Sequence, residues 1–396
     1  MTAQQEAAFA AKPEAQYGRG QRNADIDLAA ISKNVSLLSQ FAAQSKVMAV
    51  LKADAYGHGL IPSAEAALRG GADFLGTAVL EEAFALRDAG IEAPVFAWLA
   101  APGADFVTAL SKQIDVAAYN IEQLAEIIKA SREAGATARI HLKIDTGMWR
   151  GGADATTWPQ LCAAARRAEA NGVVRIVGVW SHLACADELG HPSIDAQLSN
   201  FRRAIAVARD LGLRPELCHI ANSAATLSRP DAHFDMVRTG LAVYGINPLP
   251  REARTSRMQL HPAMRLSAKI VNVKSAPAGA AVSYGATEKT ARATRLAVVP
   301  LGYADGVVRS ASSRGPVRIG DEHFRVIGRI CMDQFVVDVG DYAIQAGDEA
   351  VLFGSARDGE PTVEHWAEAA GTIPYEILTG IGARVPRNYR DSISGT

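Results

Sequence analysis

Between about residue 24 and residue 245, short apolar runs alternate with longer stretches in which apolar positions recur at helical spacing. The runs VMAVL (47–51), VFAW (95–98), IHLKI (140–144) and VVRIVGVW (173–180) have the length and β-branched content of buried strands. Residues 62–69, 80–89, 121–134 and 194–211 carry their apolar positions three and four apart, which predicts amphipathic helices. A βα rhythm sustained over about 220 residues is close to the length of a (β/α)8 TIM-like barrel, although an open doubly wound sheet gives the same rhythm in one dimension. After about Pro248 the texture changes. AKIVNV (268–273), RLAVV (295–299), VRI (317–319), FVVDV (335–339) and EAVLF (349–353), set between Gly, Pro and Asp, predict a separate, mainly β domain. The expected fold class is therefore α/β plus β. Residues 1–22 are a flexible extension without apolar period, residues 23–250 a (β/α)8 barrel, and residues 251–396 a C-terminal mainly β domain.

Composition narrows the function. With 41 Lys and Arg against 42 Asp and Glu, the balance favours neither nucleic acid nor an anionic membrane surface. Residues 1–22 lack the basic start and apolar stretch of a secretory signal, and no apolar run approaches the roughly 20 residues needed to cross a bilayer, so a cytoplasmic protein is expected. Cys162, Cys185, Cys218 and Cys331 are scattered without a CxxC pair, which suits reduced thiols rather than a disulfide framework or a metal site.

Polar clusters follow several of the predicted strands, where a barrel builds its active site. Lys52 leaves an apolar run and enters VLKADAYGHG (50–59); a strand-end lysine taken alone is far more often a solvated surface residue, but in this ten-residue setting desolvation would free the amine that Schiff-base chemistry requires. KIDTGMWR (143–150) ends on Arg150, suited to a bidentate carboxylate bond or to a surface ion pair. WSHLA (180–184) offers His182 to a ring or a proton, or to the core. HIANSA (219–224) brings Asn222 and Ser223, with hydroxyl and backbone donors suited to phosphate. In VRTGLAVYG (237–245), Arg238 precedes Gly240 and Leu241, and the glycine allows close backbone approach to an anion. The β region contributes VSYGAT (282–287), LGYADG (301–306), RICMDQF (329–335) and IPYE (373–376), with Tyr284, Tyr303 and Tyr375 either as functional groups or as rim tyrosines of a β core. Neither GxGxxG after a strand, nor a Walker loop, nor GxSxG, nor HExxH is present to compete.

In this order, these motifs resemble those of the bacterial alanine racemases, fold-type III enzymes that use pyridoxal 5'-phosphate (PLP), from about residue 23 to Arg387. The resemblance implies a homodimer whose active site is shared between subunits, with PLP on Lys52 and alanine as substrate. It implies phosphate binding by Tyr56, Ser223, Gly240, Leu241 and Tyr375. Arg238 would bond the pyridine nitrogen, supported by His219, and His182 would lie on or near the ring. Arg150 would meet the phenolic oxygen and, with the backbone amide of Met332 from the other subunit, the substrate carboxylate. Lys143 matches a position often carbamylated in the family. Tyr303, Ile373, Asp187, Arg309, Arg329 and Asp333 match positions lining the entrance. The implied catalytic pair is Lys52 and Tyr284 of the partner subunit, because racemisation needs acid/base groups on both faces of a planar carbanion. Trp149 departs from the small or polar residue usual before this arginine. A broader racemase acting on serine or lysine, a decarboxylase, and a non-catalytic PLP-binding homeostasis protein are the competing readings. A decarboxylase would set a carboxylate where Arg238 stands, and the homeostasis proteins resemble the barrel alone.

Overall fold

The computed structural model describes residues 20–391, so the extension expected over residues 1–22 lies outside the described residues as far as residue 19. The chain forms two compact units, Leu28–His261 and a second built from Pro262 onward together with the segment ending at Asp27.

That division differs from the expected boundaries at both ends. Residues 23–27, read with the barrel, belong to strand β1 (Arg22–Asp27), which pairs antiparallel with residues 264–268 and parallel with residues 387–390 of the second unit. Its burial alternates with period two, Ala24 and Ile26 facing the core, a pattern too short to stand out beside the helix that begins at Leu28. Residues 251–261, read with the β domain, stay with the first unit. Asn34 on the helix Leu28–Ala42 is the fastener: its Nδ2 donates to the carbonyls of His261 (2.8 Å) and Val243 (3.0 Å), and its Oδ1 accepts from His261 N (2.8 Å).

The first unit is a barrel of eight parallel strands: β2 (Lys46–Val50), β3 (Phe74–Thr77), β4 (Val95–Ala97), β5 (Ile114–Ala118), β6 (Ala138–Lys143), β7 (Val174–Trp180), β8 (Leu217–His219) and β9 (Met236–Thr239). They hydrogen-bond in the order β8-β7-β6-β5-β4-β3-β2-β9. Backbone bonds from Asp235 N to Cys218 O and from Arg238 N to Ala221 O, each 3.0 Å, bring the two end strands together and nearly close the ring. Near-closure hides strand edges, and helices outside and side chains inside leave β3 and β5 buried at every position. Met48, Phe74, Phe96, Val177, Trp180 and Met236 fill the interior. The outer helices follow their periodicity. Ile121–Ala134, with the predicted bounds, buries Leu124, Ile127, Ala130 and Ser131, is capped by Asn120 accepting from Gln123 N, and stops at Gly135 in the left-handed region.

The second unit holds a six-stranded sheet, a three-stranded sheet and a two-stranded ribbon. The run AKIVNV, predicted as one strand, is split between the two larger sheets. Ile270 N bonds Asp348 O and the next amide, Val271 N, bonds Val298 O, so β10 (Met264–Lys269) ends in one sheet and β11 (Asn272–Ala276) starts in the other. A continuous β-branched run carries no local mark of such a corner. No helix among the described residues is long and apolar enough to cross a membrane, and the four cysteines are unpaired thiols.

Candidate active site

At the carboxyl end of β2 the backbone takes an unusual course. Ala53, Asp54, Ala55 and Tyr56 all have φ between 54° and 57°, a left-handed turn built without glycine, which costs roughly 1 kcal/mol or more per residue. Surrounding bonds impose it: Leu51 N to Gly76 O (2.7 Å), Gly59 N to Asp54 O (3.0 Å) and Leu60 N to the Asp54 carboxylate (2.9 Å). The turn leaves Lys52 half-buried at the strand end and folds Tyr56 inward, its ring 4.9 Å from that of Tyr244. Burial lowers the Lys52 amine, Arg150 and Arg238 lower it further, and Glu82 opposes them. A Cβ on Gly240 would lie 2.3 Å from Tyr56 Oη, so this glycine is required by the tyrosine hydroxyl rather than by its own φ.

After β6, one carboxylate organises the loop that carries Arg150. Asp145 Oδ1 accepts from the amides of Gly147, Met148 and Trp149 at 2.8–3.1 Å, and Oδ2 from those of Arg150 and Gly151 at 3.1 and 3.4 Å. Burial raises the Asp145 carboxyl, but these amides outweigh it and hold the group below its ordinary value. Trp149, at φ 57°, projects outward and is 83% exposed. Lys143 is buried at the end of β6, its Nζ 4.5 Å above the Tyr119 ring and 4.6 Å from the Trp180 ring. Burial, then Arg150 and Arg238, bring its amine down to about 8.

At the ends of β7, β8 and β9, Arg238 is the hub. Its Nη1 donates to His219 Nδ1 (2.9 Å), and its Nη2 to the Ser181 carbonyl (2.7 Å) and His182 Nδ1 (3.1 Å). Burial and the charge of Arg238 push both histidines well below their ordinary values, so both are neutral at pH 7. Arg238 itself is lowered to about 9 by burial and Arg150. Asn222 accepts from Ala225 N at 3.1 Å, capping Ser223–Ser228 and thereby fixing Ser223. The buried Ser223 Oγ accepts from Gly240 N (2.8 Å) and Ala242 N (3.4 Å), which leaves its own hydrogen to donate to an anion. Lys52, Lys143, Arg150, His182, Ser223, Arg238, Gly240 and Leu241 thus lie at or after the carboxyl ends of their strands in one unit. Asp187 is exposed in the loop after β7.

The remaining candidates belong to the second unit, where adjacent loops gather most of them. Tyr284 is 73% exposed and follows Ser283, whose φ of 62° and ψ of −175° occupy a region otherwise restricted to glycine. Ser283 Oγ donates to the Arg329 carbonyl at 2.6 Å, and the Arg329 guanidinium covers Gly285, where a Cβ would come within 2.8 Å. Tyr303 N bonds Cys331 O and Ala304 N bonds Met332 O, each at 3.0 Å. Ser312 Oγ joins the Arg309 carbonyl to Ile330 N. Asp333 pairs with Arg384 at 2.7 Å. Met332, Ile373 and Tyr375 are exposed. The sequence reading missed Asp145 as a loop organiser, and Asp115 and His141 as buried partners behind His219; only the Asp-Thr-Gly turn signal at 145–147 pointed to the first.

Family models for the alanine racemase N-terminal domain and the alanine racemase C-terminal domain match residues 26–248 and 263–389. Alanine racemase of Salinispora tropica is 54% identical over 365 residues, covering 92% of this chain and 97% of that protein. That of Streptomyces coelicolor is 52% identical over 371 residues, covering 92% and 95%. The crystal structure of alanine racemase from D-cycloserine-producing Streptomyces lavendulae superposes with a TM-score of 0.93 at 51% identity, over 95% of this chain and 98% of that one. Two domain models in sequence and full-length likeness near half identity leave one conclusion: the chain belongs to the alanine racemase family.

Proposed function

We propose that the protein interconverts L-alanine and D-alanine with PLP held on Lys52, as a cytoplasmic homodimer supplying D-alanine for peptidoglycan. The observation that carries this reading is the convergence of Lys52, Lys143, Arg150 and Arg238, in which the charges of Arg150 and Arg238 lower the proton affinity of both lysines, beside the Ser223 hydroxyl. Such a cluster calls for anions, and PLP with an amino-acid carboxylate supplies them. The residues fit the cofactor in kind. A lysine with lowered proton affinity suits its carbonyl, a buried donor-only guanidinium suits its pyridine nitrogen, and the hydroxyls of Ser223 and Tyr56 with the bare backbone at Gly240 and Leu241 suit its phosphate, with Tyr375 added. When bound, PLP supplies the electron sink that makes the alanine Cα proton removable.

This chain's own groups do the rest. Lys52 Nζ exchanges the Cα proton on one face, and Tyr284 Oη of the partner subunit exchanges it on the other. Arg150 binds the substrate carboxylate with the amide of Met332 of the partner subunit and orients the phenolic oxygen, while His182 packs beside the ring. Asn222 serves by capping the helix that carries Ser223. Tyr303, Asp187, Arg309, Arg329 and Asp333 line the way in. The test is to incubate the purified protein with L-alanine, L-serine and L-lysine separately and to assay the D-isomers. D-Alanine is expected to form toward an equimolar mixture, much faster than D-serine or D-lysine; its absence from PLP-loaded protein would sink the proposal, and equal rates for D-serine or D-lysine would shift it to a broader racemase.

Arg238 restrains the cofactor because a guanidinium does not readily hand over a proton, so negative charge stays near Cα rather than spreading into the ring. Arg238→Glu should therefore raise transamination relative to racemisation, seen as pyruvate formed per D-alanine; an unchanged ratio refutes the role. Carbamylation of Lys143 Nζ would give Arg150 a carboxylate partner. Only the neutral amine reacts with carbon dioxide, and with a value of about 8 the neutral fraction rises from about a tenth at pH 7 to about half at pH 8. A carbamate signal in 13C NMR with labelled bicarbonate is expected to grow over that interval and to vanish in Lys143→Met. Wild-type protein without it would remove the modification from the site.

A further inference from the structure

The barrel interior contains a string of buried polar groups that the proposed reaction does not use. His219 Nδ1 takes a hydrogen bond from Arg238, and its Nε2 lies 2.9 Å from His141 Nδ1. His141 Nε2 lies in turn 3.3 Å from Asp115 Oδ2, on β5. Both imidazoles are fully buried, walled by Phe96 at 4.3 Å from the His141 ring and by Trp180 stacked on His219 at 5.9 Å. The barrel is shaped around His141. Its ladder to β7 shifts register between Ile140 and His141, and Gly178 on β7 leaves the room, since a Cβ there would lie 2.2 Å from His141 Nδ1. Burial raises the Asp115 carboxyl, but hydrogen bonds from His141 and Arg139 outweigh it and keep it ionised. Arg139 grips Asp115 from the other side at 2.6 and 3.1 Å.

The two ends of this string dictate every proton in it. A guanidinium only donates, so His219 Nδ1 accepts and its hydrogen resides on Nε2. His141 Nδ1 must then accept, its hydrogen resides on Nε2, and that hydrogen goes to a carboxylate that only accepts. We propose that Asp115 is a positioning residue for Arg238: acting through His141 and His219 as neutral Nε2–H tautomers, it fixes the guanidinium that faces the cofactor's pyridine nitrogen. The proposal rests on the reading above for the role of Arg238, but the tautomer chain stands on the protein alone. Without the Asp115 acceptor, His141 is free to carry its hydrogen on Nδ1. His219 then turns an N–H toward Arg238, where donor meets donor, and the guanidinium loses the bond that holds it.

The experiment is 15N NMR of histidine-labelled protein, with and without PLP, the two resonances assigned through His141→Gln and His219→Gln. In wild-type protein both rings should read as neutral Nε2–H tautomers; an Nδ1–H tautomer at either overturns the proposal whatever the enzyme does. Asp115→Leu should convert His219 to a tautomer mixture and weaken PLP binding about tenfold or more. Arg139→Gln, which also breaks the ion pair but leaves the string whole, should keep the wild-type His219 signal and PLP affinity. Parallel changes in the two variants would mean that Asp115 only anchors the barrel, and the proposal would fall. Where Asp115→Leu does not fold, Gly178→Ala, which displaces His141, is expected to give the same His219 mixture, and an unaltered signal there counts against the relay. A wild-type protein that binds no PLP would defeat the functional reading while leaving the tautomer test intact.

Discussion

Replacing Lys52 with alanine is expected to lower racemisation of alanine by about 10^4-fold or more, the scale of losing an acid/base group together with the cofactor's attachment. The same variant should no longer retain PLP through borohydride reduction and denaturation, whereas wild-type protein should retain one PLP per chain. The lysine is half-buried at the barrel mouth, and its amine is lowered chiefly by burial, then by Arg150 and Arg238. Removing a cation from a cluster of cations relieves repulsion, so the variant should unfold at the same temperature as wild type or above it. Loss of activity with unchanged or raised Tm therefore separates a catalytic role from a structural one. A variant that keeps both reducible PLP and racemisation would move the attachment to another lysine, with Lys143 the first to examine.

Tyr284→Phe should produce the second-largest effect, and an asymmetric one. Exchange of the Cα proton with deuterated solvent should fall by about 10^2- to 10^4-fold from one enantiomer and far less from the other, because Lys52 still serves its own face. Equal losses from both would count against two facing bases. The hydroxyl is removed from a side chain that is 73% exposed in the isolated chain, so the folded protomer should lose less than about 0.5 kcal/mol. Its mounting is less tolerant. Ser283 is held in a glycine-type conformation by its bond to the Arg329 carbonyl, which sets the direction in which Tyr284 leaves the backbone.

Much of this was legible along the chain, for physical reasons that differ by element. Strands buried on both faces read as apolar runs, as in VFAW and EAVLF, which became β4 and, residue for residue, Glu349–Phe353. The helix Ile121–Ala134 was legible to its ends because its cap residues and its buried face are local properties. Strands β8 and β9 were visible only through the polar clusters that follow them, since three or four residues are too few to establish a period. β1 was misassigned because a short alternating segment says that one face is buried without saying against which sheet. Within the site, residue identities were readable but their partnerships were not. Asp145 looked like one more turn residue, and nothing in its neighbourhood shows that it gathers five amides beneath the Arg150 loop.

Lys52 illustrates the division. The sequence by itself determined that a lysine leaves an apolar strand of a βα array, that arginines, a histidine and a serine come at or after the ends of later strands in a fixed order, and that a β-rich region carries Tyr284, Tyr303 and Tyr375 in turn-like motifs. Those are consequences of local periodicity and residue type. Only the tertiary structure decided that Ala53 to Tyr56 turn left-handed without a glycine, that Gly240 is bare because of a hydroxyl some 180 residues away in sequence, and that a carboxylate on β5 and a guanidinium on β9 dictate the protons of two histidines between them. Each of these depends on groups brought together by strand register and ring closure, and the free energy that holds them comes from contacts that no stretch of the chain contains alone.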